Sequence, residues 1–366
     1  MKLIAGVITF LCAFSLGAQE WDFDEESLFG LTEEEAVQEV EETETPLENI
    51  EMEEKTFQWG GQIYSDLGSS LVWNDVQGSP DETLWDPQFG LDLYFDARPT
   101  PDFRVFAKGK AFYPFEGSVE NAFSLHEVFA DFNVENKVYF RAGKQTINWG
   151  VGYLYKATDK LNVSPLDPTN READIEGPLA VKTQIPLGVN TFYLYAVANE
   201  IEHPEDITYA PKIEFLLGNW ELGVGAILNP VLTAKGALFV TGPLGPLDFF
   251  AEALFQYGSD IVNKDNQLIL SATAGLFYRN IDQRFIVIGQ YWFDGEAQSA
   301  ETGSKIGHHY SGLSLQKGFL LQPEKDNSGI LNLSLLWLGD FSDLSGMILP
   351  EIEWEFTKYS SIALGG

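Results

Sequence analysis

The sequence predicts an all-β protein: a transmembrane antiparallel β-barrel of about sixteen strands, with fourteen to eighteen fitting the pattern, behind a disordered acidic N-terminal segment. Three observations carry this expectation. Apolar and polar residues alternate with period two through most of the chain after Phe57. Long and short connections alternate between the predicted strands. No stretch after residue 18 approaches the about 20 consecutive apolar residues that a spanning helix needs. One long uncharged stretch, Leu222 to Ala234, contains two glycines, an asparagine and a proline.

In chain order, residues 1–18 read first as a secretory signal peptide. Lys2 is the positive start, Leu3 to Leu16 the apolar run, and Gly17-Ala18 the small-residue cleavage site. The one cysteine, Cys12, would leave with that leader, so the exported chain would have no thiol chemistry and no disulfide. Residues 19–55 follow as a separate segment. Between Glu20 and Lys55 there are 16 acidic residues and one basic residue, about half of the net charge of −33. With few apolar residues to bury, such a block is expected to stay disordered. It reads either as a solvated periplasmic tether or as a docking segment for a periplasmic partner.

Residues 56–366 carry the barrel. In Gln88–Arg98, Phe89, Leu91, Leu93, Phe95 and Ala97 share one face, while Gln88, Gly90, Asp92, Tyr94, Asp96 and Arg98 share the other. That is a strand with one greasy and one wet side. The same alternation runs through 248–256, 284–291 and 351–356. Connections after odd strands read as long: Asp75–Pro87, Pro114–Asn121, Gly150–Gly177, Asn199–Thr208, Gly258–Asn266 and Asp294–Gly307. Those after even strands read as tight turns at 99–102, 135–137, 187–190, 217–219 and 280–283. Short periplasmic turns alternating with long outer loops belong to an outer-membrane barrel rather than to a soluble sandwich. Counting from Phe57 to Phe356 yields sixteen strands, with a tail from Thr357 that reads as a turn and the start of another. Trp59, Trp73, Trp149, Tyr153, Tyr193, Trp220, Tyr257, Tyr291, Trp337 and Tyr359 lie near predicted strand ends, where amphipathic rings settle at membrane–water interfaces.

Composition excludes several function classes. A net charge of −33 is unsuited to phosphate contacts, so no nucleic-acid partner is expected. The four histidines, His126, His203, His308 and His309, form no metal-ligand spacing; no nucleophile elbow or phosphate-cradling glycine loop occurs either. No enzyme, cofactor or metal is expected. The partners expected are outer-membrane lipid, the barrel-assembly machinery and small polar solutes.

The stretch Arg141-Ala-Gly-Lys-Gln-Thr-Ile-Asn-Trp-Gly150 resembles a signature of porin-like families of diderm bacteria, among them alginate-export and phosphate-selective-type porins. The resemblance covers some forty residues. It implies a porin-like barrel in which this segment closes an up-going strand and a long loop, here Val151–Pro178, follows. It carries over no substrate, and the acidic N-terminal block departs from a plain porin.

The predicted wet faces show Arg98, Arg104, Lys108, Lys110 and Arg141 on early strands, mixed with Asp92, Asp96, Glu127 and Asp131. They show Glu214, Asp248, Glu252, Glu351, Glu353 and Glu355 on later ones. Such walls set up a transverse field across a pore, or are ordinary solvated charges of a wet interior. The long loop adds Asp159, Asp167, Glu172, Asp174 and Glu176, stiffened by Pro165, Pro168 and Pro178, as candidates for a constriction. The reading is a passive channel for small polar solutes. The alternative is a structural or adhesive barrel that displays its outer loops or tethers a periplasmic partner. The exported protein is expected to begin near Gln19 by mass measurement, to be β-rich by circular dichroism and to shift its apparent size on gels when boiled. A mostly helical spectrum would contradict the fold.

Overall fold

The computed structural model describes residues 7–17, 56–73, 80–114, 122–164, 166–169, 175–199, 203–259, 267–282, 284–297, 307–321, 329–342, 344–357 and 360–365. For 7–17, 66–73, 80–86 and 204 the description is of the backbone alone. The acidic segment 19–55, Glu172 and Asp174 lie outside the described residues.

Eighteen strands form one antiparallel sheet. They are β1 (Val7–Gly17), β2 (Phe57–Trp73), β3 (Pro80–Thr100), β4 (Phe103–Tyr113), β5 (Phe123–Val134), β6 (Val138–Lys144), β7 (Leu179–Leu187), β8 (Asn190–Val197) and β9 (Thr208–Leu217). Then come β10 (Trp220–Ile227), β11 (Lys235–Leu244), β12 (Leu247–Tyr257), β13 (Leu268–Arg279), β14 (Phe285–Asp294), β15 (His308–Leu320), β16 (Ile330–Asp340), β17 (Ser345–Thr357) and β18 (Ser360–Gly365). From β2 onward each strand pairs with the next in sequence, and β1 pairs with both β18 and β2, so the sheet closes on itself. The sixteen strands counted from Phe57 to Phe356 are β2 to β17, and the tail supplies β18.

Two features of this ring differ from a simple reading of the chain. Val7–Gly17, the apolar run of the expected leader, occupies the place between β18 and β2. Being antiparallel to both, it shows that β18 and β2 run in the same direction, so their direct pairing in its absence would be parallel. Second, Asp75–Pro87, read as a loop, is mostly strand: β2 and β3 continue as a hairpin with Trp73 opposite Pro80. Its prolines and acidic residues resembled a connection. Among the described residues pairing with β4 begins only at Phe89, so Pro80 and Pro87 have no strand partner described on that side, where proline is tolerated.

The turns follow the predicted order for most of the ring. Gly188 and Gly218 turn β7 into β8 and β9 into β10, while the loop 145–178 stands on the other side. The order weakens late: β15 and β16 are separated by 321–329, β16 and β17 by only 341–344.

The alternation separates outside from inside. On β3, Phe89, Leu93 and Phe95 are 53%, 38% and 47% exposed on the outer face, with Gly90 and Asp92 buried between them. Large exposed apolar side chains of this kind occur around the ring, among them Ile63, Val105, Leu125, Val224, Leu238 and Ile352. A soluble protein does not carry such an apolar surface, whereas hydrocarbon demands it. The inner face is polar, with Arg104, Arg141, Lys182, Lys212, Glu252 and Gln290 all buried. The chain is therefore a closed transmembrane β-barrel.

A cationic side chain on the outer belt tests this assignment. Leu93→Arg or Ala253→Arg is expected to cost about 2–4 kcal/mol if the position lies near the bilayer midplane. Asp92→Ala, one residue away but inside, should cost well under that. Equal refolding yields and equal denaturant midpoints in liposomes for Leu93→Arg and Asp92→Ala would reverse inside and outside.

Candidate functional site: a loop folded into the lumen

At the end of β6 the chain leaves the wall. Gly143, at φ +138°, adopts a conformation that side chains rarely allow, and a Cβ there would lie 2.2 Å from the Val128 carbonyl oxygen. Gln145 then joins the two ends of the loop. Its backbone N–H donates to Pro178 O at 3.1 Å, and its buried amide donates to Ala180 O at 3.0 Å and Arg141 O at 3.3 Å. Thr146 N–H donates to Glu127 Oε1 on β5 at 3.0 Å, and its hydroxyl to Ile175 O.

Asn162 copies a strand partner for Ile147: it accepts from Ile147 N–H and donates to Ile147 O, both at 2.8 Å. Asp159 holds the same amide at 2.9 and 3.1 Å. Burial raises the Asp159 carboxyl above its ordinary pKa, opposed by the hydrogen bonds from Asn162.

Beyond this base a finger of residues 149–158 runs along the inner wall. Trp149 is fully buried, edge-on to Tyr195 and Phe239 at 5.6 and 6.1 Å. Gly225 makes room for it: a Cβ there would approach the indole to 2.8 Å. Lys212 on β9 donates to Trp149 O at 3.2 Å, and its ammonium lies 5.6 Å from the indole and 4.7 Å from the Phe239 ring. Most of the hydrophobic core of the protein is this contact, with Ile147, Leu161, Tyr195, Ile227 and Leu254 around Trp149.

Two side chains from the far wall take the finger's backbone. Glu252 on β12, 3% exposed, accepts N–H groups from Val151 at 2.6 Å, Thr158 at 3.2 Å and Gly152 at 3.4 Å. Gln290 on β14 accepts from Leu154 at 2.9 Å and Tyr153 at 3.0 Å, and donates to Tyr155 O at 2.7 Å. Tyr153 packs on Phe250 and Phe277, and Tyr155 stacks on Trp292 at 5.5 Å. Burial, then the charges of Asp294, Glu252, Tyr310 and Glu296, raise the Tyr155 hydroxyl pKa far above its ordinary value. At the tip, buried Leu154 lies against Gly312 on β15. The loop thus touches the wall from β5 to β15.

The remaining predicted residues fall into four settings. Arg104 and Arg141 are buried and ion-paired, Arg104 with Asp96 at 2.9 Å and both with Asp131 at 3.5 and 2.7 Å; Arg141 also lies 4.0 Å from the Phe129 ring. Lys110 stands 3.7 Å from Asp92, Glu214 pairs with Lys212, and Lys108 and Glu353 are half-buried on the inner face. Arg98 and Asp248 are exposed at strand ends. In the loop, Asp167 is exposed and accepts from Thr169, while Glu176 accepts from Lys144 at 2.6 Å.

Trp149, Tyr153 and Tyr193 do not sit at a membrane interface, since β6 ends at Lys144 and all three face the loop or the lumen. Lys182, Lys212 and Gln290 were not singled out by sequence. A glutamine at the wet position of the apolar strand 284–291 was the available signal, but its partners lie 135 to 137 residues away.

No family model matches the sequence, and no curated protein matches it. Among solved structures the chain is similar to OmpF of Salmonella typhi, in complex with daunomycin, at 10% identity and TM-score 0.49, covering 84% of this chain and 96% of that one. It is similar to OccAB3 of Acinetobacter baumannii at 10% identity and TM-score 0.47, covering 98% of each chain. A third is the outer-membrane channel DcaP of Acinetobacter baumannii, at 12% identity and TM-score 0.42, covering 99% of this chain and 94% of that one.

Removing the Glu252 carboxylate leaves three loop N–H groups without their acceptor. At about 1.5–3 kcal/mol for a hydrogen bond to a charged group, Glu252→Ala is expected to destabilise the docked loop by about 3 kcal/mol. That is about a hundredfold more undocked loop. Trypsin should then cut at Lys156 or Lys160 in the folded variant while sparing the wild type. Equal resistance in a Glu252→Ala, Gln290→Ala double variant would mean that packing of Trp149 alone holds the loop.

Proposed function

We propose that this barrel is a porin-like channel for passive diffusion of small polar solutes, with the loop 145–178 as its constriction. The observation that carries the reading is a loop folded inside a closed polar lumen and held there by the wall. A loop displayed for adhesion has no need of acceptors on the inner face of β5, β12 and β14. The finger covers the inner wall as far as β15, which leaves the solute path along the other part of the ring. There Glu351, Glu353 and Glu355 share the inward face of β17 beside Ser361, Ala363 and Gly365 of β18, and Lys108 and Lys110 project from β4. A path bounded by such groups favours polar solutes and responds to their charge. In this reading residues 1–18 are removed on export, β18 and β2 then meet directly, and residues 19–55 lie on the periplasmic side.

Planar-bilayer recording tests the channel. The refolded protein should show discrete conductance steps, and deletion of Thr158–Ile175 should raise them. Neutralising Asp167, Glu172 and Asp174 together should lower cation preference, most clearly at low salt, where the screening length is about 30 Å at 0.01 M. Absence of conductance in the wild type would refute the pore. Unchanged conductance and reversal potential in both variants would move the loop out of the path and favour a display role.

A further inference from the structure

The inner face of β16 and β17 is not polar throughout. Directly opposed residues on paired strands share a face, and the register sets Leu338 opposite Met347 and Leu336 opposite Leu349. That face looks into the lumen. Gly312 on β15 is the other partner of Leu338, and a Cβ on Gly312 would lie 3.1 Å from Leu338 and 2.6 Å from Leu154 at the tip of the finger. Ile348, Ile352 and Trp354 alternate with these residues and lie exposed in the outer belt. Two successive rows of the lumen wall are therefore apolar.

The finger accounts for only part of this strip. Leu154 reaches Leu338, and Leu336 is buried. Met347 lies one strand further on and is 48% exposed, with Leu349 half-buried beside it. Apolar surface left in water is unfavourable, and methionine is the side chain that best adapts its shape to whatever covers it. Further along β17 the same face turns acidic. Glu351 stands opposite Ser334, Glu353 opposite Asn332 and Glu355 opposite Ile330. Glu355 accepts from the Asn332 amide at 2.6 Å, whereas Glu353 has no hydrogen bond or ion pair among the described residues. Their neighbours on β18 are Gly365, Ala363 and Ser361, which are too small to cover them. Arg284 lies over Gly318, in the row of Asn332 and Glu353, about 10 Å from Glu353 at about 4.8 Å per strand. That is one guanidinium for three carboxylates. Asp340, at the other end of the strip, is already engaged by His308 Nδ1 at 2.9 Å and by Ser342 N–H at 2.7 Å.

We propose that this strip binds amphipathic organic cations, solutes that join an apolar ring to an ammonium, as they pass through the lumen. The inference rests on the channel reading and names its solute class. The apolar body lies on Met347 and Leu349, where sulfur and ring meet favourably. The ammonium stands at Glu351 and Glu353, about 7 and 13 Å along β17 from Leu349 at about 3.3 Å per residue. Each half of the lane excludes a different competitor. The strip offers nothing to a small hydrophilic cation, and the carboxylates repel an anion of the same shape.

The test is block of potassium chloride current through the refolded full chain in a planar bilayer. The probes are 4-phenylbutylammonium, butylammonium and 4-phenylbutyrate. The phenyl-bearing amine should halve the current at a concentration about tenfold lower than butylammonium, because only its ring is buried on the strip. The carboxylate of the same shape should not block. Met347→Ser with Leu349→Ser should bring the two amines to the same potency, and Glu353→Gln should weaken block by both severalfold. Glu135→Gln, on the turn between β5 and β6, should leave both blocks as they are. Equal block by the two amines in the wild type, block by 4-phenylbutyrate as strong as by its amine, or an undiminished preference in the Met347, Leu349 variant overturns the proposal while the channel stands. A wild type without conductance refutes the channel reading and this inference with it. If the double variant lacks the heat-modifiable folded band, Met347→Gln, which keeps the size and adds a polar amide, decides by the same comparison.

Discussion

Every backbone N–H and C=O that leaves water must find a partner, and this constraint acts twice in the molecule. In hydrocarbon an unpaired backbone group costs several kcal/mol, so a sheet can span a membrane only as a closed ring. Each strand here has two neighbours. The constraint acts again inside the ring, where the finger 149–158 lies against the wall with no regular secondary structure. It cannot pair with itself, and the wall supplies the missing groups: Glu252 and Gln290 accept five of its N–H groups, Lys212 donates to one carbonyl and Gln290 to another.

Loop and wall are therefore parts of one structure. Trp149 is buried only because Gly225 has no side chain and because Tyr195 and Phe239 stand on either side of the space thus left. The charge of the interior follows from the same contacts. Arg104, Arg141 and Lys212 carry formal charges toward the lumen, yet each is buried and paired with a carboxylate. Glu252 is covered by the loop's N–H groups. The field a solute meets is set less by counting wet-face charges than by which of them remain after the wall and the loop have been neutralised.

The signature Arg141–Gly150 has a physical content that its letters alone do not show. Arg141 anchors β6 to Asp131 and Phe129, Gly143 permits the departure from the wall, Gln145 seals the base, and Trp149 fills the first pocket. Each residue type is the one its position requires: a fork of donors, a missing Cβ, a two-ended amide and a large ring.

The sequence by itself determined the class of the fold, because period-two alternation and the order of connections are local properties of the chain. The strand count from Phe57 to Phe356 was legible for the same reason. Where composition contradicted conformation, as in the proline-bearing hairpin arm at Pro80 and Pro87, the local signal misled; proline is tolerated there because no described residue pairs with the arm on its β4 side. The inward loop was anticipated from its length and its prolines, but the groups that hold it were not. Glu252 read as one more wet-face carboxylate and Gln290 was not singled out, since their partners lie about 100 and 136 residues away. Only closure of the ring brings those segments together, and only then does a side chain pointing into the lumen become a hydrogen-bond acceptor for a loop rather than a solvated charge.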